Sequence, residues 1–250
     1  MDKDDFLLKR IRELANLSYQ RDIVTFTDFL NLNEQNMLAT LKLRQMGVSV
    51  KLFGGYDHAE RQMAAFYPGT VGFSWEYPID CLKITPKALR FSEELGHRDY
   101  LGAILNLGVD RSVVGDILIK DKEAWVFCLH KMSDFFIDNL VRVRHTTVLV
   151  TRVEQAEEIP EPQFEAISGT CASVRLDSLI GLAFQTSRSS MVSFIESGLV
   201  FVNGKLITSN GYEPKESDII SVRGKGRFIY DGVSRQTKKG RLGVRIRKYV

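Results

Sequence analysis

The dipeptide Asn203-Gly204 limits the folding options of this chain more than any other pair of residues. It stands between Val200-Phe201-Val202 and Lys205, and a two-residue turn that takes positive φ at both central positions is the tight connection of a β-hairpin. Upstream, Leu176, Leu179, Ile180 and Ala183 recur at helical spacing, which sets Arg175 and Asp177 in the first turn of a short amphipathic helix. Thr186 to Ser190 reads as a hydroxyl-rich hinge in which Ser187 or Ser189 caps a second helix carrying Met191, Val192, Phe194 and Ile195, and Gly198 ends it. A further strand is predicted from Ile219 to Arg223. Two helices, a hairpin and a strand then bring a helix N-terminus close to a basic turn. Backbone N–H groups at a helix start attract anions, and Arg188, Asn203 and Lys205 add donors, so this face suits a phosphate backbone.

Charge supports that assignment. Residues 170 to 250 hold 14 Lys and Arg against six Asp and Glu, whereas residues 1 to 169 hold 20 against 25, net charges of +8 and −5. A basic back and an acidic front point to a polyanion held mainly by the last third. From 223 to 250 there are ten Lys and Arg and one acid. There Arg241, Arg245, Arg247 and Tyr249 fall on one parity of a closing strand and Leu242, Val244, Ile246 and Val250 on the other. Cys81, Cys128 and Cys171 are widely spaced without a C-x-x-C pair, which fits a reducing compartment and argues against a disulfide framework or zinc knuckle. The start Met-Asp-Lys-Asp-Asp is acidic where a signal peptide is basic, and no apolar run approaches membrane-spanning length. A cytoplasmic, unanchored monomer is the expectation.

The front of the chain reads as two small domains. A helix is predicted over 5–18, a second over 33–45 with Asn33 as cap, a strand over 48–53 ending at Gly54-Gly55-Tyr56, and a further helical pattern over 57–66 with Glu60 and Arg61 outward. From Ile79 the pattern becomes strand 79–84, helix 98–107, strand 116–119, strand 124–129, helix 133–142 and strand 146–152, the β-α-β-β-α-β order of ferredoxin-like and RRM-like domains. Trp125 and Phe127 share a strand face, yet the basic, aromatic signature of an RNA-reading RRM is missing, and both rings are expected in the core. Glu154 to Pro162, with four glutamates and two prolines, reads as a linker. The fold class expected is therefore α+β, with an N-terminal α/β domain over 1–75, an RRM-like domain over 76–153, a linker over 154–170 and a C-terminal domain over 171–250.

The order R-L-D, S-R-S, G-x-V-x-V-N-G-K and D-x-I in the C-terminal part resembles the αL RNA-binding domain of a small-subunit ribosomal protein, the S-four type. Across the whole chain, Phe29-Leu30 with Asn33-Glu34-Gln35, Gly54-Gly55-Tyr56, Ala59-Glu60-Arg61, His97-Arg98-Asp99-Tyr100-Leu101-Gly102, Asn106-Leu107-Gly108 and Gly115-Asp116-Ile117 extend the resemblance to the YlmH-like family of bacterial proteins encoded near cell-division genes. That resemblance implies an N-terminal domain, an RRM-like middle, a C-terminal αL domain and association with the large ribosomal subunit, including stalled subunits that retain peptidyl-tRNA. Relative to the family, the chain starts late, without the usual aromatic and basic residues ahead of the first helix.

Catalytic readings fare worse. His97-Arg98-Asp99 resembles a kinase catalytic loop, but Ile104 stands where asparagine is required, and a helix N-terminus is the better reading. Lys131-Met132-Ser133 resembles a synthetase loop without its partner motif. Gly198 to Lys205 has the wrong spacing for a P-loop. Arg175-Leu176-Asp177 imitates the R-L-D of pseudouridine synthases but opens a helix here, and the four histidines lack metal-ligand spacing. The expectation is a non-catalytic protein without cofactor or metal that docks on ribosomal RNA, tRNA or both. Arg175, Ser187, Arg188, Ser189, Asn203 and Lys205 position the RNA backbone, while Lys225, Arg227, Lys238, Lys239, Arg245 and Arg247 add charge. An RNA-modifying enzyme anchored by its αL domain and a cell-division adaptor are the alternatives.

Overall fold

The structure, a computed structural model, describes residues 3–69, 74–155, 158–237 and 240–249, except the side chains of Lys3, Phe91 and Arg188. It divides into two compact units, Met1–Pro160 and Glu161–Val250. The first unit opens with α1 (Lys3–Arg21), β1 (Thr25–Leu30), α2 (Leu32–Thr40), β2 (Val48–Phe53) and β3 (Gln62–Pro68). Its antiparallel strands lie in the order β1-β3-β2, and Ile11, Leu14 and Ala15 of α1 pack on Ala64 and Phe66. The cap of α2 is Asn31, two residues before the one expected. Its side chain accepts from the Glu34 amide at 3.1 Å while the Glu34 carboxylate accepts from the Asn31 amide at 2.7 Å.

Residues 57–66 do not form the expected helix, because residues from Gln62 onward are the central strand of this sheet. Met63, Ala64, Ala65 and Phe66 are all buried, and a short apolar run covered on both faces carries no strand alternation to distinguish it from a helix. Arg61 is accordingly turned inward, not outward.

The rest of the first unit comprises β4 (Ile79–Pro86), α3 (His97–Leu105), β5 (Val114–Lys120), β6 (Glu123–Leu129), α4 (Ser133–Asn139), β7 (Arg142–Val143) and β8 (Thr146–Arg152). The strands form one sheet in the order β5-β6-β4-β8-β7. Tyr100, Ile104 and Phe136 of the two helices cover one face through Leu82, Ile84 and Val126. The other face presents Cys81, Trp125, Phe127 and Leu129 to Phe29 of β1 and Met63 of β3. Trp125 and Phe127 are thus core, as their spacing suggested, and the front sheet is what buries them. The division expected at 75 and 76 consequently lies inside one compact unit.

Asp116 on β5 ties the two sheets together by accepting hydrogen bonds from the Glu60 amide (2.6 Å), the Arg61 amide (3.1 Å) and the Tyr56 hydroxyl (2.8 Å). Arg61 donates to the carbonyls of Val114 (3.0 Å), Phe29 (2.9 Å) and Arg111 (3.3 Å), and Arg111 donates to those of Val114 and Gly115. Gly55, at φ +100°, lies where an added Cβ would come within 2.3 Å of the Phe127 ring.

In the second unit, β9 (Phe164–Cys171) is followed by α5 (Leu176–Ala183), α6 (Arg188–Glu196), β10 (Val200–Val202), β11 (Lys205–Leu206), β12 (Ile219–Val222), β13 (Gly226–Gln236) and β14 (Leu242–Tyr249). The sheet order is β11-β10-β12-β13-β14-β9. Leu176, Leu179 and Ile180 of α5 and Met191 and Ile195 of α6 bury one face against Val200, Val202, Phe228 and Ile246. Residues 164–170 are therefore not linker. They pair with β14 from Phe164↔Tyr249 to Cys171↔Leu242, and Gly169 lets Leu182 of α5 approach so closely that a Cβ there would meet it at 2.5 Å. None of the described helices is long and apolar enough to cross a membrane.

Candidate nucleic-acid interface

The helix pair and hairpin form as their residues dictate. Leu176 begins α5 with its amide donating to the Tyr212 carbonyl at 3.0 Å, and Arg175 beside it forms an ion pair with buried Asp177 at 3.6 Å. Gln185 turns the chain at φ +51° and Ser187 caps α6 by accepting from the Ser190 amide at 3.2 Å. The Ser187 and Ser189 hydroxyls lie 3.2 Å apart in the exposed first turn of α6, the helix that Arg188 opens. In the hairpin, Asn203 and Gly204 take φ +49° and +76°, both positive as a type I′ turn requires.

Asn203 has a further task. Its side-chain amide donates to Asp218 at 2.8 Å and its carbonyl oxygen accepts from the Ile219 amide at 2.9 Å, clamping the hairpin to the start of β12. Lys205, two residues on, is exposed. Lys225 sits in the β12–β13 turn with its ammonium 5.7 Å from the Phe194 ring of α6, so that turn belongs to the helix side of the sheet.

Arg227, Arg245 and Arg247 do not join this group. Strand register places them on the sheet face opposite α5 and α6, because Val244 and Ile246 of β14 point into the core and the residues between them point away. On that outer face the Arg227 guanidinium stacks 4.1 Å from the Tyr249 ring, Tyr249 lies 4.7 Å from Phe164, and Arg247 lies 5.2 Å from Phe164 while pairing with Asp231 at 3.0 Å. The hydrogen bond to Asp231 holds the Arg247 pKa above its ordinary value. Lys238 and Lys239 lie outside the described residues, as does the Arg188 side chain. The positions proposed from sequence therefore divide: Ser187, Ser189 and Lys225 lie on the α6 side of the sheet, and Arg227, Arg245 and Arg247 on the opposite face. Phe164 escaped the sequence reading because the Glu- and Pro-rich run before it marked its surroundings as linker.

The His97-Arg98-Asp99 motif opens α3. Asp99 accepts from the Gly96 amide at 2.9 Å and starts α3. In the first unit, Phe53, Tyr67, Trp75 and Tyr77 line a cavity of about 740 Å³. Its Asp80 is engaged by the Ser133 hydroxyl (2.5 Å), His130 (2.9 Å) and Arg152 (3.0 Å). Among the described residues no cluster of three or more His, Cys, Asp or Glu is arranged to hold a metal.

Residues 75–157 match a family model described as "Putative RNA-binding domain in YlmH", and residues 174–220 match the S4 domain. The chain is 29% identical over 231 residues to the ribosome-associated protein quality control protein P2 of Bacillus subtilis, covering 87% of this chain and 84% of that one. Among solved structures, the cell division protein YlmH from Streptococcus pneumoniae superposes with a TM-score of 0.52 at 22% identity, over 64% of this chain and 96% of that one, a likeness of fold. Two domain matches in this order, with similarity along most of the length, support the YlmH-like family with a C-terminal S4 domain as the one this chain resembles.

Proposed function

We propose that this chain is a non-catalytic RNA-binding protein that associates with the ribosome, docking through its S4 domain on structured ribosomal RNA, tRNA or both. The observation that carries the reading is the coincidence of the S4 match over 174–220 with the exposed donors of α6 and the hairpin, Ser187, Ser189 and Lys205. Similarity to a protein named for ribosome-associated quality control supports the ribosome as partner, and we take the large subunit, including stalled subunits that carry peptidyl-tRNA, as the docking site. The β-α-β-β-α-β order over 79–152 supports an RRM-like reading of the middle sheet. Its aromatic face is buried against Phe29 and Met63, so bases do not stack there, and the first unit is left to contact tRNA or protein by its other surfaces.

Sedimentation through a sucrose gradient tests this. The protein should travel with free large subunits at low salt and leave them at high salt. If roughly six to ten phosphates are engaged, affinity falls by roughly 10³- to 10⁵-fold between about 50 and 200 mM salt. Retention at the top of the gradient under every condition would refute ribosome docking.

A further inference from the structure

We propose that the sheet face turned away from α5 and α6 is a second RNA-binding surface, one that takes an unpaired stretch by stacking a base on Phe164. The inference rests on the RNA-binding reading above but concerns a different face. Its basis is one row of residues lying side by side across neighbouring strands: register sets Ser221 opposite Arg227, and Tyr249 opposite Phe164. The 4.1 Å stack of Arg227 on Tyr249 and the 4.7 Å contact of Tyr249 with Phe164 join the two pairs into a continuous line. Arg247 closes it from the next row. Cation, ring, ring and cation thus follow one another on one face, with Phe164 and Arg247 exposed and Arg227 and Tyr249 half-buried.

Ordinary packing does not account for Phe164. It belongs to the edge strand, its side chain lies opposite the core, and 36% of the residue remains open to solvent. The neighbours on its own strand face, Ala166 and Ser168, are small and exposed, so the floor beside the ring is low enough for a planar group to lie flat. Arg245 lies opposite Ser168 and Arg235 opposite Gly243, and neither carries an ion pair among the described residues. Asp231 is an acid on this face, and Arg247 pairs with it.

Arginines around an exposed ring on a sheet face match single-stranded RNA. Every base has a face to stack, stacking tolerates any sequence, and guanidinium groups hold the flanking phosphates. The free edge of β9 also offers backbone groups to an extended peptide, but a peptide partner would leave Arg235 and Arg245 without a purpose unless it were acidic. Paired RNA cannot present a base to Phe164, so the two faces are expected to divide the work. The helix side grips structured RNA, and the outer face takes an unpaired end or loop beside it.

The test uses the full chain and two labelled hairpin RNAs, one blunt and one with a short unpaired 3′ extension carrying 2-aminopurine, with binding followed by fluorescence anisotropy. Wild type should bind the extended hairpin more tightly and quench the 2-aminopurine. Phe164→Ala should lose about tenfold in affinity for the extended hairpin and none for the blunt one, and Phe164→Trp should restore both the preference and the quenching. Arg245→Glu, which breaks no contact among the described residues, should remove the preference even if Phe164→Ala proves poorly folded. Equal binding of the two hairpins by wild type, or an unchanged preference in Phe164→Ala and Arg245→Glu, overturns the outer-face site and leaves the S4 reading standing. Failure of wild type to bind either hairpin removes the RNA-binding reading itself, and this inference with it.

Discussion

Arg61 and Arg111 in the first unit and Arg245 and Arg247 in the second are one residue type in opposite surroundings. The first pair spends its donors on the carbonyls of Phe29, Arg111, Val114 and Gly115, inside the seam between two sheets. Burial lowers the pKa of both, and the nearby Arg61 helps bring that of Arg111 down to about 10. The second pair projects from the sheet face opposite α5 and α6, and Arg245 has no ion pair among the described residues. A buried guanidinium that satisfies backbone carbonyls is part of the fold. An exposed one beside aromatic rings is available to a ligand.

The contrast can be broken by mutation. Arg61→Leu should have the largest effect, because it removes the hydrogen bonds to the carbonyls of Phe29, Val114 and Arg111 in the seam between the sheets. We expect a loss of about 3 kcal/mol in urea unfolding of the first unit, with RNA affinity of the folded protein unchanged. Reduced affinity at full stability would place Arg61 in a binding site and dissolve the distinction. Gly55→Ala comes next. It demands φ +100° of a residue with a side chain and drives a methyl into Phe127, so a cost of about 2 kcal/mol should appear in the same assay.

Arg245→Gln sharpens the comparison from the other side. Stability should stay within about 0.5 kcal/mol, while RNA affinity falls and the slope of log affinity against log salt shrinks by about one. The smallest effect concerns His97. Partial desolvation of its ring and the nearby Arg111 hold the imidazole below its ordinary pKa, so the folded state prefers the neutral form. Its contribution is complete above the unfolded value of about 6.5 and is lost as pH falls through that value towards the lower folded one. Thermal melts between about pH 7.5 and 5 should therefore decline less steeply in His97→Gln, a shallow change because the side chain still reaches water.

Much of the family pattern was visible in the residues, but its meaning was not. Gly54-Gly55-Tyr56, Ala59-Glu60-Arg61 and Gly115-Asp116-Ile117 stand out in sequence as separate motifs. In the structure Tyr56, Glu60, Arg61 and Asp116 converge on one hydrogen-bonded junction spanning 56 positions from Glu60 to Asp116. No local pattern could report that. The run containing Met63 to Phe66 was read as helix because an apolar stretch buried on both sides has neither period to show. The outer basic face was half legible. Alternation in β14 separated Arg245 and Arg247 from Val244 and Ile246, but the ring that completes the surface, Phe164, lies 85 positions before Tyr249.

What the sequence determined by itself was local. Positive φ at Asn203 and Gly204, the Ser187 cap, the helix start at His97 and the succession of strands and helices from Ile79 to Arg152 follow from preferences that a residue expresses with its near neighbours. Tertiary structure alone decided which faces meet: that Phe29 and Met63 cover Trp125 and Phe127, that Arg61 turns inward, and that β9 joins β14 to form the outer face. Such choices depend on burying apolar area and matching donors to acceptors between segments far apart in the chain, and those energies exist only once the segments are in contact.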